Sequence, residues 1–265
     1  VKDVTKGQVL LEASDVVKHF GGVHAVDGIS VQFKAGEVHG IIGPNGSGKS
    51  TLISSLTRYH ELTSGSVKLL GTEADKKPYK VARNGVTRVF QIPHLFERVS
   101  VLDNVLTGMY RRDNYNVFDA IFRTPRYRKA NSRSVAEAKA LLALAGMLGM
   151  EELAAGSISH GQKRLLEVIR AVATEPKILI LDEPATGLTQ DELHSLTNLI
   201  RTLAAGGMCV VLIEHNVAFL MDLADIVTVI QSGKVIAEGT PQAVQKDERV
   251  LEAYLGNTDF SKELA

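Results

Sequence analysis

The residues GPNGSGKST, at positions 43–51, have the types and spacing needed to bind a chain of phosphates. They match G-x-x-x-x-G-K-[ST] and stand between a strand-like run, EVHGIIG, and a helix-like run. Glycines let consecutive backbone N–H groups curl around phosphate oxygens, where a Cβ atom would block the approach. The dipole at a helix N-terminus favours the same negative charge. This stretch, called the phosphate loop below, predicts a nucleoside triphosphate site.

Two side chains of the phosphate loop have specific predicted roles. We expect Lys49 to reach the β- and γ-phosphates and the Ser50 hydroxyl to hold Mg²⁺. A glycine-rich turn without a ligand is the alternative, and the strand and helix on either side disfavour it. The residues of the loop predicted to contact ATP are Gly43, Pro44, Asn45, Gly46, Ser47, Gly48, Lys49, Ser50 and Thr51.

A second candidate site lies in KILILDEP, where an apolar run ends in Asp182 and Glu183. Open α/β sheets bind their ligands at the carboxyl ends of the strands, which is where these two carboxylates stand. We expect Asp182 to hold Mg²⁺ through water and Glu183 to polarise the attacking water as a general base. The alternative is a salt-bridged surface pair, and the phosphate loop in the same chain favours the catalytic interpretation.

Composition excludes several other classes of protein. Hydrophobic residues make up 45% of the 265 positions, as in ordinary soluble proteins, and Lys+Arg equals Asp+Glu at 30 each. The overall charge therefore gives no argument for nucleic acid or an anionic membrane as a partner. A single cysteine, Cys209, allows no intrachain disulfide and stands in an apolar run typical of a buried strand. Because the apolar runs fall short of the roughly 20 residues that span a bilayer, and the N-terminal stretch lacks the apolar core of a signal peptide, we expect a cytosolic or peripheral protein.

The order of patterns along the chain predicts an α/β fold. The first third reads as short strands, the middle as helical segments, and KILILDEP and MCVVLIEH as buried parallel strands that each follow a helical stretch. A hairpin is predicted to turn at Ser232 and Gly233, and Thr240 and Pro241 are predicted to begin a helix. We therefore expect a P-loop NTPase (RecA-like) core with a parallel sheet, an N-terminal antiparallel β layer and a helical insertion subdomain.

Five stretches together resemble the ATP-binding-cassette (ABC) ATPases. The phosphate loop, Gln91 in VFQIPHLF, the stretch SISHGQKR at 157–164, ILILDEP, and His215 in LIEHN follow one another in the order of that family. The resemblance extends over nearly the whole chain. We call residues 157–164 the signature stretch.

The resemblance implies a division of the chain into parts. It predicts one cassette over residues 9–256, with the RecA-like core and its antiparallel layer at 9–91 and 166–256. The helical subdomain that carries the signature stretch is expected at about 92–165, and residues 257–265 are expected to form a tail.

The resemblance also assigns roles to single residues. Phe20 matches an aromatic residue that stacks on adenine, with a core phenylalanine as the alternative. Gln91 matches a residue that touches Mg²⁺ or the attacking water and couples the site to the helical insertion. His215 matches a histidine that contacts the γ-phosphate and steadies Glu183.

The signature stretch is implied to act on a second subunit. The residues that would complete the ATP site of that subunit are Ser159, His160, Gly161 and Gln162. Ser159 and the backbone around Gly161 are predicted to cap the helix that follows, so that its positive end faces a γ-phosphate. An ordinary helix cap is the alternative.

Two departures from the family pattern concern the contact between subunits. The signature stretch has His160 where Gly is usual, and TGLTQDE offers Thr189 and Gln190 where an Asp or Asn usually crosses the interface. We expect communication across the interface to be altered and ATP hydrolysis to be retained.

Finer features resemble the ATPase subunits of branched-chain amino-acid importers. HFGGVHAVDGIS, VFQIPHLFERVSVLDNVLTGMYRR, FRTPRYRKA and the ending VLEAYLG carry this resemblance. It implies ATP and Mg²⁺ as cofactors and a location on the cytoplasmic face of the cell membrane. The implied partners are two permease subunits, a second ABC ATPase subunit and, indirectly, a substrate-binding protein.

Other functions remain open at this stage. Importers of urea or amides resemble these proteins, and ISHGQK favours the urea type. A non-transport ABC ATPase acting on DNA or ribosomes is a further alternative, although such relatives carry two cassettes or long insertions. Residues 110–130 alternate basic and aromatic side chains, which is compatible with single-stranded nucleic acid or with a linker near lipid head groups. The neutral overall charge and the resemblance favour the linker, so no nucleic-acid partner is expected.

Overall fold

The computed structural model describes residues 5–90, 94–110, 117–122 and 124–255 of the chain. The chain separates into two compact units. The first unit comprises the described residues up to 88, residues 177–183 and the described residues from 200 onwards, and the second comprises the described residues of 89–176 and 184–199. The predicted single cassette over 9–256, with its core and helical parts, stays a prediction.

Within the described residues, ten strands are present. Their bounds are β1 (Val9–Phe20), β2 (Val23–Lys34), β3 (Val38–Ile42), β4 (Ser64–Leu69), β5 (Thr72–Glu73), β6 (Val86–Val89), β7 (Ile178–Asp182), β8 (Cys209–Ile213), β9 (Ile226–Gln231) and β10 (Lys234–Gly239).

The α-helices number ten over the same described ranges. They are α1 (Lys49–Leu56), α2 (Pro78–Arg83), α3 (Val101–Met109), α4 (Val117–Ile121), α5 (Pro125–Leu144), α6 (His160–Val172), α7 (Gln190–Ala205), α8 (Val217–Leu223), α9 (Pro241–Val244) and α10 (Glu248–Leu255). A membrane-spanning helix would have to be both long and apolar, and none of the described helices is.

Two sheets organise the strands. One is antiparallel, in the order β2-β1-β4-β5, and the other has the order β10-β9-β3-β8-β7-β6. In the second sheet, β3 pairs in parallel with β8 and β9, and β7 pairs in parallel with β8. The predicted α/β fold with an antiparallel layer and a parallel sheet is therefore confirmed.

The parallel strands lie at the centre of the core of the first unit. Every residue of β3, β7 and β8 is buried, as expected for strands covered on both faces. Cys209 belongs to this core, and burial raises the pKa of its thiol. The prediction that it is a buried strand residue is confirmed.

Local turn and cap predictions also hold in the first unit. Ser232 and Gly233 join β9 to β10 with positive φ angles of 48° and 78°, the conformation of a tight hairpin turn. Thr240 caps α9, where its side chain accepts a hydrogen bond from the Ala243 N–H, and Pro241 is the first helical residue.

In the second unit, two capping boxes begin helices α6 and α7. The Ser159 hydroxyl accepts from the Gln162 N–H while the Gln162 side chain accepts from the Ser159 N–H. Thr189 and Glu192 exchange the same pair of bonds at the start of α7. The two boxes are linked, because the Ser159 hydroxyl donates to Glu192 Oε1 at 2.8 Å. The sequence prediction that Ser159 caps the helix is confirmed.

The Glu192 carboxylate predicts a pH-dependent contribution to stability. Its pKa is lowered, first by the Thr189 N–H and then by the Ser159 and Thr189 hydroxyls and the His160 side chain. A carboxyl whose pKa is lower in the folded state stabilises the fold above its unfolded pKa, and this contribution is lost as the pH falls through the folded pKa. We expect Glu192→Gln to lower the free energy of unfolding at neutral pH by about 0.5 kcal/mol, since the site is largely exposed.

Urea unfolding at several pH values measures this effect. The difference between the wild type and Glu192→Gln should shrink as the pH falls from about 5 to about 3. Glu152→Gln, which changes an exposed carboxyl of the same unit, should show no such loss. A difference for Glu192→Gln that is unchanged across this range contradicts the assignment.

Candidate nucleotide-binding site

Three neighbouring parallel strands end within one residue of the same row of the sheet. In the strand register, Ile213 at the end of β8 pairs with Ile41 on one side and with Asp182 on the other. The phosphate loop follows β3, Glu183 follows β7 and His215 follows β8. The topology therefore brings the predicted phosphate, metal and catalytic residues of the first unit to one edge, as open α/β sheets require.

The phosphate loop passes so close to other backbone that only glycine fits at two positions. Gly43 has φ 155° and Gly48 has φ 106°. A Cβ atom at Gly43 would meet the Ile230 carbonyl oxygen, and one at Gly48 would meet the Ala25 carbonyl oxygen. The predicted role of these glycines in close backbone approach is consistent with this geometry.

Lys49 is the first residue of α1 and turns its side chain back over the loop. Its Nζ donates to the Gly43 carbonyl at 2.7 Å and to the Pro44 carbonyl at 3.1 Å. Burial lowers the pKa of Lys49, while the negative charges of Glu183 and Asp182 oppose that shift. A positive charge is therefore held inside the curl of the loop, in the field of both predicted catalytic carboxylates.

Glu183 has an unusual backbone conformation for a residue with a side chain. Its φ is +49°, its N–H donates to the Ile213 carbonyl at 2.8 Å, and its Oε1 lies 2.9 Å from His215 Nε2. Strained conformations of this kind persist where the surrounding structure holds them, and they concentrate at functional sites. Glu183 and His215 thus form a hydrogen-bonded pair at the edge of the sheet.

Asp182 faces a cation that the sequence patterns did not indicate. Arg88, on β6, places an Nη atom 2.7 Å from Asp182 Oδ2, and its other Nη donates to the Ser54 hydroxyl at 3.1 Å. Both members of the ion pair are largely buried. In the sequence, Arg88 stands out only as a charged residue within the strand-like run TRVF. Such a residue predicts a buried ion pair, but it does not identify the carboxylate with which the arginine pairs.

A cleft of about 320 Å³ lies between the phosphate loop and the Glu183–His215 pair. Its lining includes the loop residues from Asn45 to Thr51 together with Glu183 and His215. Ser50 is exposed, whereas the Ser47 hydroxyl is buried and has no hydrogen-bond partner among the described residues. Glycine positions that exclude a Cβ, an unpaired buried hydroxyl and a convergent lysine make this cleft chemically suited to a phosphate chain.

Phe20 stands at the end of β1 with 45% of its surface exposed. Its ring packs edge-on against His60 at 5.2 Å between centroids, and Lys18 Nζ lies 4.8 Å from the ring centre. The alternative that Phe20 is a core phenylalanine is therefore wrong. An exposed ring of this kind is available for stacking, although the lining of the cleft does not include it.

The signature stretch lies in the second unit, where a carboxylate occupies the start of its helix. Glu192 accepts from Ser159, and a Cβ atom at Gly161 would meet the Glu192 carboxylate. Thr189 uses its hydroxyl within the chain, since it donates to Glu192 Oε2 at 3.0 Å. The predictions had not identified Glu192, although the spacing T-x-x-E before a helix is a recognisable capping box.

Gln91 lies outside the described residues, so its predicted role stays a prediction. The chain on either side of it is held by α6. Arg164 donates to the Phe90 carbonyl, and Glu167 Oε1 accepts from the His94 N–H at 3.2 Å. Arg164 and Glu167 are also a buried ion pair at 3.1 Å. A helix that begins in the signature stretch therefore holds both residues that flank 91–93.

Comparison with known proteins agrees with this geometry. Residues 26–186 match the family described as ABC transporter, and residues 234–259 match the family described as branched-chain amino acid ATP-binding cassette transporter. The high-affinity branched-chain amino acid transport ATP-binding protein BraF of Pseudomonas aeruginosa is 36% identical over 93% of this chain and 98% of its own length. LivG of Escherichia coli K12, which bears the same description, is 34% identical over 94% of this chain and 98% of its own.

Solved structures show the same similarity. The ADP conformation of MJ1267, an ATP-binding cassette of an ABC transporter, is 32% identical and superposes with a TM-score of 0.80. The match covers 94% of this chain and all of that one. A nucleotide-free cassette from an ABC transporter gives a TM-score of 0.78 at 31% identity, over 93% and 99% of the two chains. The chain belongs to the ABC transporter family of ATP-binding-cassette ATPases.

Proposed function

We propose that this chain is the ATP-hydrolysing subunit of an importer for branched-chain or related amino acids. The substrate class is supported by the relatives BraF and LivG, whose names give branched-chain amino acid transport, and by the match of residues 234–259. The chemistry is carried by one observation in this structure, the pairing of Glu183 with His215 at 2.9 Å in the cleft that the phosphate loop lines.

Nucleotide binding is assigned to the edge of the parallel sheet. Lys49 exchanges the Gly43 and Pro44 carbonyls for the β- and γ-phosphates, and the first turn of α1 supplies backbone N–H groups. Phe20 stacks on the adenine ring, which its exposure permits. The phosphate contacts come from Gly43, Pro44, Asn45, Gly46, Ser47, Gly48, Lys49, Ser50 and Thr51.

Mg²⁺ is assigned to Ser50, to Asp182 through water, and to Gln91. The donor set fits the ion, because hydroxyl, carboxylate and amide oxygens are the hard ligands that Mg²⁺ prefers. Asp182 already faces a positive group, Arg88, so its carboxylate is oriented to balance a cation. When bound, the metal neutralises charge that develops on the phosphates. Arg88 then either shares the Asp182 carboxylate with the metal or moves away from it.

Catalysis follows from the carboxylate that lies next to His215. Glu183 accepts a proton from the water that attacks the γ-phosphorus, and it lines the same cleft as the phosphate loop. His215 holds Glu183 Oε1 and presents its ring to the γ-phosphate. Lys49 counters the negative charge at the same edge.

The signature residues Ser159, His160, Gly161 and Gln162 are assigned to the ATP site of a second cassette. In this chain, Glu192 accepts the hydrogen bond of Ser159 and covers Gly161. A γ-phosphate presented by the second cassette is also negatively charged and also offers acceptor oxygens, so it replaces this carboxylate when the two cassettes close.

The coupling to transport rests on the helical subdomain. α6 begins in the signature stretch and holds Phe90 and His94, which flank 91–93. We therefore assign to α6 the coupling between the predicted role of Gln91 and the signature stretch. We assign the chain to the cytoplasmic face of the membrane, peripherally bound to two permease subunits and paired with a second ATPase subunit. An external substrate-binding protein delivers the amino acid.

Replacement of the proposed base tests the enzymatic assignment. We expect Glu183→Gln to reduce ATP turnover by roughly 10²- to 10⁴-fold, because general-base catalysis contributes about that much. Binding of ATP should be retained, since the amide keeps the shape and the hydrogen-bonding oxygen. Phosphate release and equilibrium nucleotide binding are the two measurements.

Glu252→Gln is the matched control, because it changes an exposed glutamate on α10. It should turn over ATP at the wild-type rate. Equal turnover in Glu183→Gln and the wild type overturns the base assignment, even if the chain still binds ATP.

The partners test the transport assignment. The tagged chain should be expressed in its native host, extracted in mild detergent, and its stoichiometric partners identified by mass. We expect permease subunits for a branched-chain amino acid system together with a second cassette chain. Permeases of a urea or amide system would correct the substrate, and ribosomal or DNA-repair proteins without any membrane protein would overturn transport.

A further inference from the structure

We propose that His19, His24 and Asp27 form a binding site for a transition-metal dication of the zinc class. These residues lie on β1 and β2 and are not among the assigned phosphate, magnesium and catalytic residues, and His24 lines the edge of the same cleft. One ring nitrogen from each histidine and one carboxylate oxygen of Asp27 all lie within 4.8 Å of one another. Two imidazoles and a carboxylate are a ligand set that zinc takes in proteins.

The strand register explains why the two histidines meet. His19 on β1 and His24 on β2 are directly opposed in the antiparallel pairing. Opposed residues of such a pair project to the same face with Cβ atoms about 4.5–5.5 Å apart. The imidazole rings are stacked, with centroids 3.7 Å apart and planes inclined by 23°. The backbone thus holds two metal-ligating side chains together on either side of a tight turn.

His19 also carries an unsatisfied polar atom. Its Nε2 is buried and has no hydrogen-bond partner among the described residues. Leaving such an atom unpaired costs free energy, because its hydration is lost without replacement. A metal ion bound by the His19 imidazole would offset this loss of free energy.

Asp27 supplies the negative charge and can leave its present partner. Its carboxylate lies 3.3 Å from Lys234 Nζ, and the lysine side chain is 65% exposed. Exposed ion pairs contribute little to stability, so exchange of the ammonium group for a dication is inexpensive. Lys234 can then extend its ammonium group into the solvent.

The distances require a modest closure of the three side chains. Zinc bonds of about 2.0–2.2 Å place ligand atoms roughly 3.3–3.5 Å apart around a tetrahedral ion. Atoms now up to 4.8 Å apart must therefore approach by at most about 1.5 Å. His24 is exposed and Asp27 partly exposed, so both side chains can rotate while His19 stays in place. The His24 ring must also turn out of its stack on His19, because a metal lies in the plane of each imidazole that binds it.

The ligand types select the ion. Imidazole nitrogens suit Zn²⁺, Co²⁺, Ni²⁺ and Cu²⁺, whereas Mg²⁺ and Ca²⁺ take oxygen ligands. Three protein ligands leave a fourth position for water or another donor. The ion would tie β1 to β2 beside Phe20. Its effect on adenine stacking rests on the proposed function, whereas metal binding itself does not.

Metal titration of the tag-free chain without nucleotide tests the site. Co²⁺ should bind with one equivalent per chain, give the visible absorption of a tetrahedral centre, and be displaced by Zn²⁺. Zinc affinity, measured by competition with a chromophoric chelator, should fall by at least about tenfold in His24→Ala and in Asp27→Asn. His24→Ala alters an exposed side chain, so it should leave the thermal unfolding temperature without metal unchanged.

Two control variants separate this site from other ligands in the chain. His194→Ala removes an exposed histidine on α7, and Asp182→Asn alters the proposed magnesium site. Both should keep wild-type zinc affinity. Absence of stoichiometric binding, or unchanged affinity in His24→Ala, overturns the proposal. Loss of binding in Asp182→Asn with retention in His24→Ala overturns it as well, because zinc would then occupy the nucleotide edge.

Discussion

The shared edge at which three parallel strands end is the constraint on which the proposed ATP site depends. Ile213 is paired on both sides, with Ile41 of β3 and with Asp182 of β7. The residues that follow these strands, namely the phosphate loop, Glu183 and His215, therefore lie at one edge of the sheet. Complete burial of β3, β7 and β8 maintains that register, because a slip by one residue would exchange which side chains face each side of the sheet.

Charged groups at this edge each lie close to a polar or charged partner. Lys49 is buried in the field of Asp182 and Glu183, Asp182 pairs with Arg88, and Glu183 pairs with His215. A buried charge without such compensation would be costly. The same pairing holds the acidic groups in fixed orientations before any phosphate arrives, which is the preorganisation that catalysis of phosphoryl transfer requires.

In the second unit, a carboxylate is likewise held by fixed hydrogen-bond donors, at the start of a helix. The N-terminus of α6 is served by Ser159, and the Glu192 carboxylate lies over it. Ser159 and Glu192 are each used twice, once in a capping box and once in the hydrogen bond that links α6 to α7. A change at the signature stretch is therefore transmitted to α7 through one carboxylate.

Sequence patterns predicted the parts of this structure that depend on local chemistry. The phosphate loop, the cap at Ser159, the hairpin at Ser232 and the buried strand around Cys209 each have a short-range signal. The partnership of Arg88 with Asp182 joins residues 94 positions apart, so no local spacing reveals it. The link between Ser159 and Glu192, and the positive φ of Glu183, likewise arise from tertiary packing.

We propose that this edge of the sheet binds the phosphates of ATP through Lys49. The decisive measurement is a calorimetric titration of Mg-ATP into the wild type and into Lys49→Ala. We expect one nucleotide per wild-type chain and an affinity at least about tenfold lower in the variant, which should unfold at the same urea concentration as the wild type. A folded wild-type chain that binds no ATP, or a Lys49→Ala chain that binds it equally well, would show that Lys49 and this edge do not hold the phosphates.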